Sequence, residues 1–342
     1  MEIPDDDPLS IENEIEFART SLHLGTPPEE VLTSLEHARN WAERSEDPHM
    51  LARAFRAIAG CQQRMGDLDD ARDAARRATD WARREGDESE LIDSLISRGW
   101  TEYHRGNVDE AEKHADEAHR LAIRNGYRHK ELASRGQLAF VALSGGDEQL
   151  AANRFEESLQ ASRAVGNPSW EAECLNGLGE IARFRGDADE ARDRYRESKK
   201  LYRKLNWPEH VAVAQLNLAL VELLDGRFEI ASRLLAESER RLDEHARKSE
   251  KIHLLRLAHL TDAAGRENWP RFDELFSFYA DGWPDDARRI QDHPWLLELA
   301  GDYAAERAKP QRARQTWALA AELSESLGDE ETTERLTHKI DS

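Results

Sequence analysis

The stretch GLGEIARFRGDADEARDRYRESKKLYRKLN, residues 177–206, reads as two helices joined by a tight turn. With Leu175 just upstream, Leu178, Gly179, Ile181 and Ala182 fall at steps of three, four and seven, which puts them on one face of a helix. Gly186 can turn left-handed after that helix. Asp187 then places an acid at the start of the next one, where the helix dipole favours it. Ala191 and Tyr195 belong to the second helix, and Asn206 stands at its closing turn.

The pattern recurs through the chain. Gly66, Gly106, Gly146, Gly186 and Gly226 are spaced at 40 residues, and Ala71, Ala111, Ala151, Ala191 and Ala231 follow five later. Ala59, Gly99, Ala139, Gly179 and Ala219 precede the same glycines by seven. Chance does not keep three columns in phase over five periods. A second turn series, Gly86, Gly126 and Gly166, has Asn206 in its fourth place, and Pro48, Pro168 and Pro208 share a phase where a helix start tolerates a missing N–H. Each repeat reads as helix A, turn, helix B, turn. The small residue sits where A and B cross, so that the two backbones approach closely.

The positions Leu178-Gly179, Gly186-Asp187, Ala191 and Tyr195 resemble those of the tetratricopeptide repeat, in the longer form of bacterial transcriptional activators and signalling ATPases. The resemblance implies an all-α fold. It is a TPR-type α-solenoid, a right-handed superhelix of about eight antiparallel helix pairs plus a C-terminal capping helix, in which each repeat touches only its neighbours. The organisation is an acidic N-terminal tail at 1–10, a degenerate repeat at 11–47, and five regular repeats over 48–247. A divergent aromatic-rich repeat follows at 248–290, then a C-terminal repeat at 291–328 and a polar capping helix at 329–342. In the degenerate copy Phe17, Ala18 and Gly25 hold helix A phases, and Val31, Leu35 and Ala38 hold helix B phases.

Composition narrows the function. Of 342 residues 34% are charged and 39% apolar, and 69 acids against 48 bases leave a formal charge of -21. Phosphate binding needs a cationic footprint that this chain lacks overall, so neither nucleic acid nor an anionic membrane surface is an expected partner. The two cysteines, Cys61 and Cys174, are too few and too far apart for a disulfide framework, which suits a cytoplasmic protein. MEIPDDDPLS has neither the basic nor the apolar part of a signal peptide, and no apolar run reaches the ~20 residues of a membrane span.

No motif carries chemistry. Gly145-Gly146-Asp147-Glu148 has the letters of the cyclic-dinucleotide synthase signature but sits at the repeat's own turn phase, outside the α/β context such a motif requires. His114 and His119 are five apart, about 140° around a helix, and cannot share a metal from one face. P-loop, GxSxG and HExxH patterns are absent. Paired acids such as Asp69-Asp70 read as solvated helix faces, and both cysteines, at small or apolar phases, read as buried structural residues. The chain is expected to be no enzyme and to need no cofactor or metal.

One constellation remains. In this family helix A lines the concave surface, and taking the phases six, three and two before each turn glycine collects Arg64, Trp100, Tyr103, His104, Phe140, Leu143, Arg183, Phe184, Leu220 and Leu223. Such a row of large apolar groups either anchors a bound segment or packs between repeats. Arg53, Arg56, Arg64 and Arg183 would make the groove positive inside an acidic protein, favouring a ligand with apolar anchors flanked by acids. Separately, seven of the chain's 24 aromatics, among them Trp269, Phe272 and Trp283, crowd into 269–295. They form either a repacked repeat or a docking patch for another domain or subunit. The expected function is a protein–protein interaction scaffold binding a peptide or protein segment in the groove, as monomer or homodimer. The alternative is a regulatory or sensor array controlling a kinase, protease or transcription factor encoded nearby or in a longer parent chain.

Overall fold

The computed structural model describes residues 7–242, 250–279, 282–283 and 292–341. Residues 1–6 of the expected acidic tail lie outside these. So do 243–249, 280–281, 284–291 and 342, which take in parts of the fifth regular repeat and of the divergent one. Among the described residues there are seventeen helices and no strand, read in order as eight pairs and a single last helix. The chain divides into two units, Met1–Val211 and Ala212–Ser342. The first holds α1 (Pro8–Leu24) and α2 (Pro28–Arg44), α3 (Pro48–Met65) and α4 (Leu68–Glu85), and α5 (Glu88–His104) and α6 (Val108–Asn125). It continues with α7 (Arg128–Ser144) and α8 (Glu148–Val165), then α9 (Pro168–Phe184) and α10 (Ala188–Leu205). The division falls inside α11 (Pro208–Leu224). The second unit goes on through α12 (Phe228–Leu242), α13 (Glu250–Gly265), α14 (Trp269–Ser277), α15 (Asp292–Glu306), α16 (Pro310–Leu327) and α17 (Glu330–Asp341).

The turn chemistry is the one the repeat columns call for. Gly66 closes α3 at φ 81°, its N–H bonded to the carbonyls of Gln62 and Gln63, and Asn206 closes α10 in the same left-handed region at φ 58°. Pro8, Pro28, Pro48, Pro168 and Pro310 sit in first turns. Asp47, Asp147, Asn167 and Asp187 cap the following helices by accepting from backbone N–H groups. Ala71, Ala111, Ala151, Ala191 and Ala231 have no exposed surface, so any larger side chain there meets a filled core.

The small-residue crossing holds at Gly179, where a Cβ would stand 2.9 Å from the Tyr195 ring of the same pair. Gly99 departs from the expectation. It gives room to Gln137 of the next A helix, 2.7 Å from where its Cβ would lie, rather than to its own helix B. In the degenerate repeat Val31, Leu35 and Ala38 are buried as expected, but Phe17 is exposed, because Ile11, Ile15, Ala18 and Leu22 form the buried face of α1.

Within the first unit α3 packs on α1, α5 on α3, α7 on α5 and α9 on α7, whereas no B helix packs comparably on the next B helix among the described residues. The odd-numbered helices therefore form the crowded inner row of a curved stack. The architecture is an all-α solenoid of helix pairs. The polar α17 ends the second unit with Leu336 as its one buried residue, and its Lys339 and Arg335 pair with Glu298 of α15.

Candidate interaction surface

On the inner row of the first unit, neighbouring A helices bring an aromatic group together. Trp100 and Tyr103, three residues apart on α5, meet edge to face with ring centres 5.4 Å apart. Phe140 of α7 lies 5.5 Å from Trp100 and 6.4 Å from Tyr103. His104 lies 6.2 Å from Trp100. Phe140 also meets Phe155 of α8 at 4.8 Å, which anchors the group in the core between the rows. On α9 the Arg183 guanidinium stands 4.5 Å over the Phe184 ring. Trp100, Tyr103, His104 and Phe184 are half-buried, while Phe140, Leu143 and Arg183 are buried beneath them. The group thus has a supported floor and an accessible rim.

Three of the four arginines expected to make the groove positive are paired with acids. Arg53 is paired to Glu12 and Glu16 of α1, the latter at 2.7 Å. Arg56 donates through Nε to Glu90 at 2.6 Å, and both side chains are buried. Arg64 donates to Glu209 at 2.6 Å, and Lys130 pairs with Asp93 at 2.8 Å. The inner face at the start of the unit is a neutralised polar network, so its arginines do not select an acidic ligand. Reading the basic column alone missed the acids. The signal was present, since most of these partners are 34–41 residues apart, close to one repeat.

Spacing gave no sign of a further contact. His23 at the end of α1 stacks on Trp207 at 4.7 Å, and Trp207 lies 4.9 Å from His210. Desolvation, with the Arg64 and Arg19 charges beside it, pushes the His23 imidazole down to about 4. Together with Arg64 and Glu209, these residues join the ends of α1 and α3 to the start of α11.

In the second unit burial bears on the two places where the sequence left alternatives open. Leu220 and Leu223 have no exposed surface. They belong to the core that also holds Leu257, Leu260 and Leu296, because α11 is apolar around most of its circumference. Phe272 and Trp283 are buried as well, Trp283 stacked on Tyr279 at 5.1 Å and 4.6 Å from the His293 ring. Trp269 is half-buried under Lys309 and Arg312. Among the described aromatics of the segment Phe272, Tyr279 and Trp283 fill the core beside the nine-residue α14, whereas Phe278 is exposed with Arg256 over its ring.

The remaining groups behave as parts of the scaffold. Gly146 turns at φ 81° and Asp147 caps α8 through Leu150 N–H at 2.9 Å, so residues 145–148 are a turn. Burial pushes the Cys61 and Cys174 thiols up to about 12, which leaves them unreactive. His49, Glu85 and Asp87 are the one grouping of three metal-type donors among the described residues, at a surface turn where Asp87 also caps α5.

Residues 90–164 and 165–244 match the tetratricopeptide repeat family. No curated protein matches the chain. Among solved structures it is similar to a Rap protein complexed with competence and sporulation factor, at 13% identity and a TM-score of 0.72 over 96% of this chain and 90% of that one. It is also similar to aspartyl phosphate phosphatase F from Bacillus subtilis, at 12% identity and a TM-score of 0.60 over 85% and 75% of the two chains. A third is the apo form of the quorum sensor NprR from B. thuringiensis, at 13% identity and a TM-score of 0.51 over 96% and 86%. At such identities the likeness is one of fold. The repeat columns, the helix pairs on either side of residues 90–244 and the family match agree: residues 90–244 are tetratricopeptide repeats, and the chain flanking them continues the same pattern of helix pairs.

Proposed function

We propose that this protein is a non-enzymatic interaction scaffold that holds a peptide or protein segment against the inner A-helix surface of its first unit. The observation that carries this reading is the aromatic group of Trp100, Tyr103, His104 and Phe140. Its rim is half-exposed on a curved inner face, where one extended or helical segment touches several helices at once. A photo-crosslinking residue at position 104, compared with one at the outward Asp193, tests it in the cell. Adducts at 104 and not at 193 support the inner face, and the reverse rejects it.

The second reading is a regulatory array that controls an effector supplied by another domain or chain. It is favoured by the fold shared with a Rap protein complexed with competence and sporulation factor and with a quorum sensor. The phosphatase among the similar structures makes aspartyl-phosphate hydrolysis the activity to assay, and turnover by the purified chain would overturn the non-enzymatic reading.

A further inference from the structure

The outward face of α1 carries three of the four most exposed large apolar side chains among the described residues: Phe17 at 75%, Leu9 at 61% and Leu24 at 49%. Asn13 and Thr20 fill the places between them and are exposed too. At about 100° per residue these five positions make one stripe along the helix. It holds no charged residue, in a chain that is 34% charged. The Thr20 hydroxyl donates to the Glu16 carbonyl at 2.9 Å, inside its own helix, which lowers the polarity further. Single exposed apolar residues are ordinary, but three of the most exposed ones spaced two turns apart along one face, with only uncharged residues between them, can seat another helix.

The repeat shows what this face is for. Forty residues on, Arg53, Ala57 and Arg64 hold the phases of Asn13, Phe17 and Leu24. There Ala57 is buried, and the two arginines reach back to Glu12, Glu16 and Leu22 of α1. On α3 this face is the seat of a neighbouring helix. On α1 the same seat carries larger apolar groups and no charge.

We propose that it seats the same face of a second copy of this chain, α1 against α1, antiparallel about a two-fold axis between Glu16 and Phe17. The spacing selects this occupant. Reversing the stripe about that point exchanges Leu9 with Leu24 and Asn13 with Thr20 and carries Phe17 onto the neighbouring Glu16, one residue from its own mate, so nearly the same residue set serves both sides of an isologous contact. Leu9 then meets Leu24 of the second copy, the two Phe17 rings overlap across the axis, and the Asn13 amide reaches the opposite Thr20. Each copy carries a formal charge of -21, so the association strengthens as salt screens the repulsion.

Sedimentation equilibrium of the full chain from about 1 to about 100 µM, at low and high salt, tests the proposal. The expected result is a reversible dimer, tighter in high salt. Phe17→Glu weakens it at least about tenfold, while Ile123→Glu, at a side chain 53% exposed elsewhere, leaves it unchanged. Circular dichroism verifies that both variants keep their helices. A bismaleimide should link Leu9→Cys to Leu24→Cys in a mixture far better than either variant to itself, since the native cysteines are buried. A chain monomeric throughout, a dimer indifferent to Phe17→Glu, or equal linking within single variants overturns the proposal.

Discussion

Arg64 and Glu209 stand 145 residues apart in the chain and 2.6 Å apart in space. Arg64 also donates to the Leu22 carbonyl at 3.0 Å, beside the His23–Trp207 stack. A repeat stack is expected to hold only neighbour-to-neighbour contacts, with stability summed along it. This contact instead ties the first helices of the unit to the start of α11, so the unit carries a bond that closes over three intervening helix pairs. Partial unfolding of either end must break it.

The pair predicts a measurable coupling. Arg64 and Glu209 are each about a quarter exposed, so the bond is worth about 1 kcal/mol rather than the several of a fully buried pair. A double-mutant cycle with Arg64→Ala and Glu209→Ala should return a coupling of that size. Hydrogen exchange at the end of α1 should also quicken in either variant. Additive single effects with unchanged exchange would mean the contact contributes nothing.

The Arg56–Glu90 pair should behave differently, because both groups are buried. Replacing Glu90 by Ala leaves an uncompensated guanidinium in the core and should cost ~3–5 kcal/mol in urea melts. Arg56→Met with Glu90→Leu, which removes both charges, should recover most of that loss.

Ala151 tests the phase of the repeat directly. It has no exposed surface, so Ala151→Leu should overpack the crossing and lower stability by ~1–3 kcal/mol. An unchanged denaturation midpoint would show that the site has room.

His114 sets a pH dependence. Desolvation, with the Arg98 charge beside it, lowers its value from 6.5 to about 4. Between those values the unfolded chain binds a proton that the folded one refuses. The stability contributed is therefore complete above 6.5 and is lost as the pH falls toward 4. His114→Leu should flatten the acid limb of a melting-temperature profile. A variant with the wild-type slope would remove this histidine from the account.

The sequence announced the helices because their signals are local. Gly66, Asp187 and Asn206 end or cap helices through bonds to residues a few positions away, and the alanine columns repeat wherever two helices cross. The site was legible only in part. Trp100, Tyr103 and Phe140 came together because they lie on the same face of adjacent A helices. The solvent that reaches such a face depends on the curvature of the stack, which spacing does not encode. Leu220 shares the phase of Trp100 and Phe140 yet is wholly buried. The partners of Arg53 and Arg56 could have been found by pairing each base with an acid about one repeat away, whereas Glu209 could not.

The most direct test of the inner-face account compares what the wild type, Trp100→Ala/Tyr103→Ala and the outer-face Asp193→Arg variant each retain from native lysate, with affinity for the recovered partner then measured. Both aromatic side chains are half-buried at the rim, so their truncation should leave the fold intact while costing about 2 kcal/mol or more of binding, a loss of about thirtyfold. The account predicts that the double variant loses the partner and Asp193→Arg keeps it. A folded double variant that binds as the wild type does, beside an Asp193→Arg protein that has lost its partner, would contradict it.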